Sequence, residues 1–75
     1  MYRVLGFERV DYVSKKGNHV KGHKLYLCFE SDKIEGFGAL ECYISHSIDY
    51  IPVLDQLIDI YYNRFGQVSK ISIIA

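Results

Sequence analysis

The chain has no tryptophan, one proline, one methionine and two cysteines among its 75 residues, and its formal net charge is zero. Each shortage excludes a class of protein. Cys28 and Cys42 are too few for the disulfide framework of a small secreted scaffold, so both are expected as free thiols that behave as small apolar side chains. No apolar run approaches the ~20 residues of a membrane-spanning helix. Met1–Tyr2–Arg3 leads straight into a strand-like pattern without a charged leader, and a cytoplasmic protein with no membrane partner is expected. No glycine-rich loop opens a helix that could cradle a phosphate. Ser45, His46 and Asp49 are neighbours along the chain, but acyl transfer needs a nucleophile, a base and an orienting group brought together in space. No enzyme and no small-molecule substrate are expected. His19 with His23, and Cys42 with His46, have acceptable metal-ligand spacing, yet the two cysteines alternate with core positions and His19 falls in a loop, so neither a metal nor another cofactor is expected.

The local absences say more. Between Asp11 and Glu30 there is no acid, and that segment carries Lys15, Lys16, Lys21 and Lys24 with His19 and His23. From Glu30 to Asp59 the balance inverts, with Glu30, Asp32, Glu35, Glu41, Asp49, Asp55 and Asp59 against Lys33 alone. A molecule that is neutral in sum therefore attracts anions at one end. Seven tyrosines and four phenylalanines make the chain unusually aromatic for its size, and several of them border the basic segment.

Periodicity favours strands nearly throughout one domain, residues 1–75, with no internal repeat. Leu5 and Phe7 share one face while Val10 and Tyr12 share the other, a change of phase that requires a β-bulge or sharp coil near Gly6 to Arg9. Lys15–Lys16–Gly17–Asn18 signals a turn, read as a loop continuing to Gly22. Leu25, Leu27 and Phe29 alternate with Lys24, Tyr26 and Cys28 in a second strand. Phe37 to Ser45 forms a third, with Leu40, Cys42 and Ile44 on one side. Ser47 to Gln56 does not alternate; Asp49 as a cap and Pro52 in a first turn suggest one short 3₁₀ or irregular turn. Leu57 to Tyr62 and Val68 to Ile74 are the last strands, joined at Asn63–Gly66 with Gly66 left-handed. Tyr62 is expected in the core and Tyr61 on the surface. An all-β, five-stranded OB-like barrel with a coiled first strand fits this order, with an SH3-like barrel as its nearest competitor.

The run from Lys15 through Gly17, Gly22 and Lys24 to Tyr26 resembles the DNA-binding loop of the filamentous-phage gene V type single-stranded-DNA-binding proteins, in which a basic turn with glycine is followed by a second glycine, a lysine and a tyrosine opening the next strand. The likeness covers the first half of the chain, with a shorter echo around Phe65–Gly66–Gln67. The chain departs from it in its zero net charge and in the acids of its second half. The resemblance implies an OB-like homodimer of phage or mobile-element type that coats single strands, with Tyr26 stacking on bases and Lys21 and Lys24 meeting phosphates.

The residues themselves support the same expectation. Sequence-tolerant single-strand binders combine a cationic track with flat aromatic faces. Lys15, Lys16, Lys21, Lys24 and Arg64 supply charge, and Tyr12, Tyr26 and Phe65 supply rings. The alternative is a non-enzymatic interaction module, in which the acidic half takes a basic partner or the basic loop of a second copy. The apolar tail Ile71–Ser72–Ile73–Ile74 favours a subunit interface in either case.

Overall fold

The computed structural model describes Met1 to Ala75 as five antiparallel strands in one sheet, with no helix. They are β1 (Tyr2–Val13), β2 (His19–Glu30), β3 (Phe37–Ser45), β4 (Leu57–Tyr62) and β5 (Val68–Ile73), in the spatial order β3-β2-β1-β4-β5. The sheet is not closed, and β3 and β5 are its edges. β1 and β2 pair continuously from Arg3–Cys28 to Val13–His19, and their far end projects as a two-stranded ribbon from a molecule 43 × 22 × 21 Å in extent. β1 meets β4 through two residue pairs only, Tyr2–Ile58 and Arg3–Leu57.

The change of phase seen in the sequence is a real bulge. Val4 faces Leu27 and Gly6 faces Tyr26, so Leu5 is the inserted residue, one position ahead of the expected span. β2 begins earlier than expected, at His19, because residues 19–22 are held by cross-strand bonding to β1 and need no apolar face of their own. The basic loop is therefore short, and Lys21 and Lys24 are strand residues.

The core lies on one face of the curled sheet: Val4 from β1, Leu25 and Leu27 from β2, Ile44 from β3, Ile58 from β4 and Ile71 from β5, joined by Tyr50. Tyr50 belongs to residues 46–56, which form irregular turns and no helix, in keeping with the absence of alternation in this stretch. Burial decides the outcome: Tyr50 and Pro52 are both buried, and the Tyr50 hydroxyl donates to Gln56 Oε1 at 2.7 Å. The segment is tied to β1 where Val4 N donates to Gln56 O and Asp55 N donates to Val4 O.

Gly22 is required by close approach. A Cβ there would lie 2.1 Å from the Ile44 carbonyl oxygen, a backbone atom with no room to retreat. Gly22→Ala is expected to pry β3 from β2 and to cost about 3 kcal/mol, at the severe end of overpacking. A circular-dichroism melt checks this; a melting temperature equal to that of the parent contradicts it.

Candidate nucleic-acid interface

The β1–β2 turn is a three-residue loop closed by its own backbone. Ser14 N donates to Asn18 O at 2.7 Å, Gly17 N donates to Ser14 O at 2.9 Å, and Asn18 N donates to Ser14 Oγ at 3.2 Å. Gly17 takes φ of 85°, as a type I turn followed by a left-handed bulge residue demands. Lys15 and Lys16 occupy the crown of this turn and are exposed. Neither has a carboxylate in salt-bridge reach: the ion pairs of the protein are Met1 amino–Asp59, His19–Asp11 and Lys24–Glu41.

Register then divides the remaining residues between two faces. Tyr12 pairs with Val20, Glu8 with Lys24 and Gly6 with Tyr26, which places Tyr12, Lys24 and Tyr26 on the face opposite the core. Lys21 pairs with Asp11 and lies on the other face, beside His19. Tyr12 and Lys21 thus do not converge from one side, and only the crown lysines serve both faces.

Lys24 and Tyr26 sit within a polar chain that the sequence order conceals. Lys24 Nζ is 3.0 Å from Glu41 Oε2 and 5.5 Å from the centroid of the Tyr26 ring, and the Tyr26 hydroxyl donates to Glu8 Oε1 at 2.7 Å. The bond to Glu41 raises the Lys24 pKa, and the bond to Glu8 raises that of Tyr26. Two carboxylates against one ammonium make this patch unwelcoming to phosphate. On the other face, the hydrogen bond from His19 holds the Asp11 carboxyl below its ordinary value. That pairing favours the folded ribbon above the usual carboxylate range and is lost as pH falls through the lowered Asp11 value.

Arg64 and Phe65 crown the β4–β5 turn. The guanidinium lies 4.9 Å from the ring centroid, Phe65 is 72% exposed, and Arg64 has no carboxylate partner. Tyr62, expected in the core, is 50% exposed, as is Tyr61, because the hairpin runs past the end of the core. Cys28 and Cys42 are free thiols, and no three His, Cys, Asp or Glu side chains gather as a metal site. No helix is long and apolar enough to cross a membrane.

Sequence reasoning missed one region. From Ile60 to Ala75 there is no acid, while Arg64 and Lys70 are present. Lys70 faces Tyr61 directly across the strands, with Nζ 5.9 Å from the ring centroid. The acid-free run was the available signal.

Comparison with protein-family models, with curated proteins and with solved structures finds no match.

Proposed function

We propose that the protein binds single-stranded nucleic acid without base specificity, using the crown of the β1–β2 ribbon and the β4–β5 turn. The observation that carries this reading is the distribution of unpaired cations. Lys15, Lys16, Lys21 and Arg64 have no carboxylate partner, and exposed rings at Tyr12 and Phe65 stand within a few residues of them. Charge on a track and rings beside it are what sequence-tolerant binding needs, because every base has a face to stack and every nucleotide a phosphate. Lys24 and Tyr26 contribute less than the resemblance to gene V type proteins implies, since Glu41 and Glu8 already hold them.

The fold is read as an OB-like barrel open at one seam. The strand order leaves β3 and β5 as the two edges, and a groove of about 570 Å³ lies between them, lined by Glu41, Tyr43 and Ser45 on one side and Tyr62, Gln67 and Val68 on the other. The alternative, an interaction module working as a homodimer, draws on the apolar residues left in solvent: Ile51 at 81% exposure with Val53, Leu54 and Ile73.

Fluorescence anisotropy with labelled oligo-dT tests the proposal. Binding that weakens steeply between low and moderate salt supports it, and no binding up to ~100 μM at low salt favours the interaction module. Replacing Glu8 and Glu41 together by glutamine removes the two negative charges beside Lys24 and Tyr26 and is expected to tighten binding at low salt by about two- to fivefold, within the range of exposed ion pairs. An unchanged affinity in the same titration would show that this face takes no part.

A further inference from the structure

The two long hairpins end in the same device. Around the first turn the chain reads Tyr12, Ser14, Lys15, Gly17, Asn18 and Lys21; around the second it reads Tyr61, Asn63, Arg64, Gly66, Gln67 and Lys70, with identical spacing. The correspondence is confined to the two turns and their flanks, and the backbone shares it. Asn63 N donates to Gln67 O at 2.8 Å, Gly66 N donates to Asn63 O at 3.1 Å, and Gln67 N donates to Asn63 Oδ1 at 3.0 Å. These are the bonds that Ser14, Gly17 and Asn18 make in the first turn, and Gly66 takes φ of 77° where Gly17 takes 85°.

One difference separates the hairpins. In the first, Lys21 faces Asp11, on the side away from Tyr12. In the second, a register shift makes Ser69 the extra residue: Tyr62 faces Val68, and Tyr61 faces Lys70. The Ser69 hydroxyl donates to the Tyr61 carbonyl at 3.1 Å and closes the bulge. The bulge therefore turns Lys70 onto the face of Tyr61, where the first hairpin keeps its lysine and tyrosine apart. Lys70 has no carboxylate partner. The Arg64–Phe65 pair stands at the crown of the same hairpin.

The geometry points to Tyr61 and Lys70 as an additional nucleic-acid subsite, in which the Tyr61 ring stacks on a base and the Lys70 ammonium meets the adjoining phosphate. The inference rests on the single-strand-binding reading above and fixes the side of the β4–β5 hairpin along which the strand runs. Each cation–aromatic pair offers one ring and one charge, the repeating unit that a single strand presents in turn as base and phosphate.

Tyr62 supplies an internal control, since it is as exposed as Tyr61 but lies on the opposite face, which carries no cation at this position. Anisotropy with oligo-dT across a salt series, on the intact chain, tests the subsite. The double replacement Tyr61→Ala with Lys70→Gln is expected to weaken binding at least about tenfold at low salt, and to reduce the slope of log affinity against log salt by about 0.7, the loss of one single-strand phosphate contact. Tyr61→Phe and Lys70→Arg are expected to retain binding, and Tyr62→Ala to match the parent. If the double variant loses its fold, Lys70→Gln alone reports through the slope. Parent-like binding by the double variant overturns the subsite, as does equal loss in Tyr62→Ala. Where the double variant binds like the parent while Lys15→Gln with Lys16→Gln weakens binding in the same assay, only the subsite falls; absence of parent binding overturns both readings.

Discussion

Replacing Lys15 and Lys16 together by glutamine is expected to weaken oligo-dT binding by about 60-fold near 50 mM salt and by only about threefold near 0.5 M, because each lost single-strand phosphate contact removes about 0.7 from the salt slope. The two ammonium groups stand at the crown of a turn whose closing bonds come from Ser14, Gly17 and Asn18. Their side chains make no ion pair, so the melting temperature should stay at that of the parent. The convergence at high salt separates a lost ionic contact from a damaged fold. A loss of equal size at both salt concentrations would mean that these lysines do not meet phosphate.

The second large effect belongs to the seam between β1 and β4. Ile58 is fully buried and faces Tyr2 in one of only two residue pairs that join those strands. Ile58→Ala removes three methyl or methylene groups where little else can collapse inward, and should cost about 2–5 kcal/mol. A chain of this length has a total stability of about 4–11 kcal/mol, so the loss is a large share of it. At about 4–8 °C per kcal/mol for a domain of this size, the melting temperature should fall by roughly 8–40 °C. Phe65→Ala, at the exposed crown of the other hairpin, should shift it by no more than a few degrees. A thermal melt of the two variants checks the contrast. Similar melting temperatures would mean that the core does not close on Ile58.

The legibility of the chain follows from where alternation is enforced by burial. β3 and β4 have the bounds that their side chains suggest, since Ile44 and Ile58 must face the core and their neighbours must not. The bulge in β1 was visible as a change of phase, though its inserted residue is Leu5. The start of β2 was not visible, because His19 to Gly22 are ordered by bonds to β1 and not by an apolar pattern of their own. The segment 46–56 was legible as irregular, because its residues do not alternate. Asp49 and Pro52 carry local helix signals, but burying Tyr50 and Pro52 over the core outweighs them.

The candidate site was legible in composition and illegible in register. A run without acids marks the first hairpin, and the crown lysines follow from it directly. That Lys24 meets Glu41, and Tyr26 meets Glu8, depends on partners 17 and 18 residues away and on which face each strand presents. The same holds for Gly22. Its place in the gene V type resemblance suggested a ligand-binding loop, while its position against the Ile44 carbonyl gives it a packing role in this fold. The likeness between the two hairpins is faint in the sequence because only tyrosine, glycine and lysine recur unchanged. The serine–asparagine, lysine–arginine and asparagine–glutamine exchanges conserve hydrogen bonding and charge, but not identity.

The most direct test is a two-dimensional amide NMR titration of the ¹⁵N-labelled chain with oligo-dT at low salt. Shifts concentrated in residues 12–21 and 61–70, with little change in the acidic turn from Glu30 to Gly36, are the predicted result. Shifts centred on that acidic turn, or a spectrum that oligo-dT leaves untouched, would contradict the account.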